Sequence, residues 1–271
     1  MPRRFDHCVL CVHDLERASA TFEALGFTLT PVAQLPFGVR NRLALFGDNY
    51  LELLAIADPA AISAPAPGQF SFGAHNRAFL TRGEGMSMLA WHGTDARTDA
   101  QRFQESGCGA YAPLDFGRDA LLPSGETVRF DFSLAFATDA AMPGLAFFTC
   151  QQRHAPDLFW RRPQYQRHAN GTRRIVEIVM SSAEPERHRR FLEQVSDGVA
   201  ERVAGGFAIA TADGRLTVLE SAAATRRFGG PPADGAPRFC AVRLAVADHA
   251  ATELVPVSSA HGLALEFVSE G

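Results

Sequence analysis

The chain has 271 residues, 46% of them hydrophobic and 21% charged, which is enough for one large domain or two modest ones with their own cores. Its net charge of −4 excludes the basic surface that nucleic-acid binding requires. All 26 basic residues are arginine, so a Schiff-base lysine, a pyridoxal-phosphate anchor and a phosphate-loop lysine are excluded together.

Residues 7–13, His-Cys-Val-Leu-Cys-Val-His, read as a buried strand. Asp14 then stands as a helix N-cap, Leu15, Ala18, Phe22 and Leu25 recur at helical spacing, and Gly26 is the stop. Residues 27–34, 42–46 and 50–56 read as strands separated by turns at 36–38 and 47–49. The same grammar returns with a strand at 86–92, a cap at Asp95, a helix at 101–106 around Phe103 and a stop at Gly107. Asp14, Phe22 and Gly26 map onto Asp95, Phe103 and Gly107 at a constant offset of 81 residues, the mark of an internal repeat. Strands follow at 127–137 and 145–150, the first after a turn at 123–125.

Beyond a Pro- and Arg-rich connection at 154–172, a third unit begins with a strand at 174–180 and a helix at 184–195, with Pro185 in its first turn. Strands at 207–212 and 215–220 flank Asp213-Gly214, a strong hairpin signal. A shortened fourth copy is expected as a strand at 239–247, a brief helix at 249–254 and a strand at 263–268. Segments 57–85 and 221–237, rich in Ala, Pro and Gly, read as loops. The expected division is paired modules in 1–153 (5–58 and 86–152), a linker at 154–172, and the third and shortened fourth modules in 173–271.

No apolar run reaches the roughly 18 residues of a membrane span, and the first residues carry no apolar signal core. Five scattered cysteines, Cys8, Cys11, Cys108, Cys150 and Cys240, predict a reduced, cytoplasmic protein without a disulfide framework. Cys8 and Cys11 form a C-x-x-C pattern, but positions three apart on a strand face opposite sides, so the pattern is expected to be empty.

Residues 5–14, Phe-Asp-His-Cys-Val-Leu-Cys-Val-His-Asp, resemble the first strand of the vicinal oxygen chelate (glyoxalase/bleomycin resistance/dioxygenase) superfamily, and residues 41–54 resemble its fourth-strand region. More narrowly, the chain resembles glyoxalase-like domain proteins. That resemblance covers most of residues 5–152 and implies an α+β fold in which repeated βαβββ modules form curled mixed sheets around a cavity. It also implies a divalent ion held by a His from a first strand and a Glu from a fourth, with equivalent strands of the partner module completing the set and open positions for substrate oxygens. His7 and Glu52 match half of that set, and imidazole with carboxylate suits Zn, Fe, Mn or Ni alike. The other half is missing: at offset 81 His7 corresponds to Met88, and Phe147-Phe148-Thr149-Cys150-Gln151 carries no carboxylate. His92 shares the sheet face of Met88 but stands roughly 13 Å further along at about 3.3 Å per residue. The expectation is therefore no cofactor or a weakly bound divalent metal, with His7 as a general base, a role that suits an ordinary imidazole pKa of about 6.5.

His7 and Glu52 are thus the catalytic and metal candidates, and Asn41, Trp91, His92, Phe148 and Cys150 the substrate-contacting ones. The competing reading of Glu52 is a salt bridge to an arginine such as Arg42. His188 and Arg190 are expected on a solvated helix face, and His168 as a brace in the connection. In the third unit Val176 aligns with His7, placing Glu177 on the opposite face. The function expected is that of a lyase, isomerase or dioxygenase acting on a small oxygenated metabolite, with no nucleic-acid or membrane partner and homodimer formation left open. The alternative is a non-catalytic small-molecule binder of the drug-resistance type. A structural module without a cavity is opposed by the carboxylate of Glu52 inside an apolar strand.

Overall fold

Strand β1 (Phe5–Val12) is buried along its whole length because it lies at the middle of a sheet, parallel to β4 on one side and antiparallel to β5 on the other. The structure, a computed structural model, describes residues 1–121, 125–154, 163–229, 235–247 and 253–269, the side chains of 120 and 121 excepted.

From β1 the chain enters α1 (Leu15–Ala24), where the Asp14 carboxylate accepts the Arg17 N–H at the first turn. It returns through β2 (Ala33–Leu35), β3 (Val39–Leu45) and β4 (Tyr50–Ile56). After α2 (Phe72–Leu80) the pattern repeats in β5 (Gly85–Gly93), α3 (Ala96–Glu105), β6 (Leu114–Leu121), β7 (Thr127–Ala137) and β8 (Ala146–Gln152). Asp95 caps α3 as Asp14 caps α1, and Gly26 and Gly107 close the two helices at φ +85° and +77°. The strand order β2-β3-β4-β1-β5-β8-β7-β6 reads the same from either end, as two βαβββ modules joined back to back.

A second sheet contains a third module: β9 (Thr172–Ser182), α4 (Arg189–Ser196), β10 (Ala200–Val203), β11 (Gly206–Ala210) and β12 (Arg215–Glu220). Helix α5 (Ser221–Phe228) follows, then β13 (Arg238–Val246), β14 (Glu253–Val255) and β15 (Ala264–Ser269). The order is β10-β11-β12-β9-β13-β15-β14, so a shortened fourth module stands where the second stands in the first sheet.

Alternation along β1 divides two cores. Cys8, Leu10 and Val12 enter one continuous apolar layer between the sheets, shared with Phe22 of α1, Phe103 of α3, Leu192 of α4 and with Ile178 and Val242 of the second sheet. Val9 and Cys11 face the concave side of the first sheet, under α2. The two thiols are therefore free and on opposite faces. Polar seams join the halves: Asn49 exchanges two hydrogen bonds with the backbone of Ile175, and His168 accepts from the Thr28 N–H and donates to the Leu45 carbonyl.

Several expectations need correction. Segments 57–85 and 221–237 are not only loops. The first holds α2, whose poor intrinsic helicity is overcome by burial of Phe72, Ala74 and Leu80. In the second, an alanine run rather than a linker builds α5, which buries Ala224 and Phe228 one turn apart. Of residues 27–34 only the end joins β2, and β6 and β10 carry too many charges and glycines to read as strands. The helix expected at 249–254 is β14 over 253–255, and residues 249–252 lie outside the described ones, as do 123 and 124 of the expected turn. His188 is buried, in contact with the Ser182 hydroxyl, rather than solvated. Among the described residues no helix is long and apolar enough to cross a membrane.

Candidate functional site

The concave face of the first sheet encloses a cavity with six polar side chains, His7, Asn41, Tyr50, Glu52, Arg118 and Cys150, among walls of Phe37, Phe72, Phe116, Phe132 and Phe148. It contains about 480 Å³ of empty space, mouth included. The curl of the sheet is tight enough for its two ends to meet: Phe37, between β2 and β3, packs edge-on against Phe116 of β6, ring centroids 5.0 Å apart.

His7 pairs with Tyr50 in the parallel β1–β4 ladder, and the two rings stack 4.4 Å apart and within 10° of parallel. Two residues on from Tyr50, Glu52 shares its face, and its Oε2 lies 3.5 Å from His7 Nε2. Its Oε1 accepts a 2.6 Å hydrogen bond from Asn41 Nδ2 on β3. Arg42 is not the partner of Glu52: it pairs with Glu23 and donates to the Thr30 carbonyl.

The other ring nitrogen of His7 meets a group the sequence did not offer. A bulge sets Phe5 against Trp91 but His7 against Ala90, so that Asp6 is the extra residue of β1. This turns the fully buried Asp6 carboxylate to within 2.5 Å of His7 Nδ1. Asp6 Oδ2 lies 3.3 Å from His92 Nδ1, and His92 Nε2 donates to the Asp48 carbonyl. Donor bookkeeping follows from these contacts. A carbonyl only accepts, and a carboxylate beside Nδ1 of His7 makes that nitrogen the donor. Nε2 of His7 then faces Glu52 with a proton needed between them to avoid two opposed lone pairs.

Burial, and then the Asp6 and Glu52 carboxylates, push the Cys150 thiol well above its ordinary value. The Tyr50 hydroxyl is raised well above its own by burial and the same carboxylates. At neutral pH both are protonated donors. Arg118 is lowered by burial, while Tyr50 and Glu52 favour its charge. Its guanidinium stands 5.4 Å from the Phe130 ring and forms no hydrogen bond or ion pair with the described residues.

Of the residues expected from sequence, the structure brings together His7, Glu52, Asn41, Phe148 and Cys150. Trp91 does not line the cavity. It is fully buried on the opposite face, stacked 5.1 Å from Phe5, as alternation from Met88 would have indicated. His92 lies behind the floor, joined to it through Asp6. Asp6, Tyr50 and Arg118 were not anticipated.

Divalent metals are frequent in the superfamily the sequence resembles, but among the described residues only His7 Nε2 and Glu52 Oε2 face the same point. Met88 sits in the apolar cluster beside the Asn76 amide, Phe148 occupies the wall, and the Cys150 thiol is held protonated. Among the described residues no three His, Cys, Asp or Glu side chains converge as a metal site. Two donors do not fit a chelate of four.

The fold is two back-to-back βαβββ modules curled around a cavity, the architecture that the resemblance to the vicinal oxygen chelate superfamily implies. Residues 5–196 match the glyoxalase-like domain, and the chain belongs to that family. A hypothetical protein from Staphylococcus aureus superposes over 98% of this chain and 99% of its own with a TM-score of 0.77 at 14% identity. A triple variant of 4-hydroxymandelate synthase from Streptomyces coelicolor matches 92% of this chain and 72% of its own, with a TM-score of 0.54 at 14% identity. A xylose isomerase-like TIM barrel/4-hydroxyphenylpyruvate dioxygenase fusion protein matches 92% of this chain and 37% of its own, with a TM-score of 0.52 at 14% identity. At this identity the likeness is one of fold. No curated protein matches the chain in sequence.

Proposed function

We propose that the chain is an enzyme that moves a proton on a small oxygenated metabolite, an isomerase or lyase with His7 as its acid–base group. The observation that supports this most directly is the His7 ring held between two buried carboxylates, Asp6 at Nδ1 and Glu52 at Nε2, at the floor of a cavity. Asp6 fixes the ring and its tautomer, leaving Nε2 to exchange a proton with Glu52 or with a substrate carbon or oxygen. Tyr50 and Cys150 remain protonated and supply hydrogen-bond donors to a substrate oxygen, where charge accumulates as a neighbouring C–H proton departs. Dioxygenase chemistry is disfavoured by the donor set, since among the described residues a divalent ion would have only His7 and Glu52 to hold it.

The aromatic walls support a second reading, a binding protein that sequesters a small molecule without turnover. One experiment separates the two. A panel of small carbonyl and hydroxycarbonyl compounds is incubated with the protein in deuterated water, and incorporation is followed by proton NMR. Catalytic incorporation that His7→Gln abolishes supports the enzyme; stoichiometric binding with no incorporation supports the binder.

A further inference from the structure

We propose that this cavity is built for a small monocarboxylate, received by Arg118; the assignment rests on the acid–base reading of His7 in that the same molecule is presented to both groups. Arg118 comes from β6, at the far edge of the sheet from β2, and lines the cavity because the sheet curls until β6 meets the turn between β2 and β3. Its guanidinium is withdrawn from solvent enough for burial to lower it, yet it has no hydrogen bond or ion pair with the described residues. A partly desolvated cation with five undirected N–H donors is costly unless an anion arrives. Glu52 does not serve as that anion: its oxygens meet Asn41 and His7, and it forms no ion pair with Arg118.

The geometry also selects among anions. A carboxylate matches the planar guanidinium fork with two parallel hydrogen bonds. A phosphate dianion would bring a second negative charge beside Glu52, where Arg118 is the one cation among the described residues of the wall and the chain has no lysine. The remaining walls favour a flat apolar body: Phe116 stacks on Phe132 at 5.1 Å, and Tyr50 lies flat on His7.

The test is calorimetric titration of the full chain with acetate, acrylate and benzoate, and with benzamide as the neutral isostere of benzoate. At least one carboxylate is expected to bind, with benzoate favoured over benzamide by about tenfold or more, the scale of one charge-assisted hydrogen-bond pair. Arg118→Gln should erase that preference and Arg118→Lys should keep part of it. Equal binding of benzoate and benzamide by the unsubstituted protein, binding of none of the carboxylates, or an unchanged preference in Arg118→Gln would overturn the assignment. Because the first comparison needs no variant, it stands even where a substitution fails to fold. Deuterium incorporation without carboxylate preference would remove this proposal alone. Carboxylate preference without incorporation would instead remove the acid–base reading and leave a carboxylate-binding protein.

Discussion

Asp6 and His7 are chain neighbours on one strand, yet their side chains meet, Oδ1 to Nδ1, at 2.5 Å. Consecutive residues of a regular strand face opposite sides of the sheet; the bulge against β5 removes that constraint for this one pair. The Asp6 carboxylate is fully buried and touches both His7 and His92, so it connects the cavity floor with a side chain that is 30% exposed.

Asp6→Asn should leave the cavity in place and change the His7 ring. In the unsubstituted protein the imidazole Nδ1 proton is expected as a slowly exchanging, strongly downfield NMR signal. It should vanish in Asp6→Asn, with a stability loss of about 1–3 kcal/mol from the lost charge-assisted bond. Persistence of the signal would show that the ring is protonated elsewhere.

The second sheet offers a test of stability. Glu177 accepts hydrogen bonds from Thr217, Arg215 and Arg243 at 2.6–2.8 Å. Burial raises its carboxyl, but these bonds outweigh burial and hold it below the ordinary value of 4.5. Its contribution is therefore complete above that pH and is lost as pH falls through the lower native value. Glu177→Gln should cost about 1–3 kcal/mol in chemical denaturation at pH 7, since Arg215 loses its anion and Arg243 is left with Glu266 alone.

His75 acts in the opposite pH range. Burial drives it from 6.5 down to about 4, with Arg82 adding to the effect and a Ser87 backbone contact opposing it. The unfolded chain takes up a proton near 6.5 that the native one refuses until about 4. Stability is complete above 6.5 and declines between these values, by at most about 3 kcal/mol. In His75→Phe, with the new ring against Phe70, urea midpoints should lose this acid-side slope.

All five thiols are buried and free. Burial raises them, Cys240 to about 12, so a thiol reagent at pH 8 should find none reactive on the folding timescale. After unfolding without reductant, titration should return five per chain; fewer would reveal a disulfide.

His7 and Glu52 were legible because residues 5–14 and 41–54 resemble a family's first- and fourth-strand regions at those positions, and because Glu52 is a carboxylate inside an apolar strand. Asp6 was hidden by the same alternation rule that exposed His7: a bulge is a property of the pairing between two strands, and neither β1 nor β5 records it alone. Arg118 was hidden because Leu-Asp-Phe-Gly-Arg-Asp reads as a turn until β7 supplies a ladder for it. Glu177 was misplaced by one residue. The observed ladders set His7 opposite Tyr50 and Glu177 opposite Arg215, so Glu177, not Val176, occupies the place of His7 in the second sheet. There Arg215 and Thr217 stand where Tyr50 and Glu52 stand in the first, and the position is closed by ion pairs.

The apolar layer between the two sheets has no gap at which one half can melt while the other persists. Any compound that tightens the cavity must therefore raise the melting temperature of the whole chain, including the half it never touches. A ligand at one hundred times its Kd adds about 2.7 kcal/mol. Thermal shift measured on a second-sheet reporter, such as a label at Val203→Cys on the exposed edge of β10, thus becomes a substrate screen that is blind to the ligand's own absorbance and to chemistry at the first sheet.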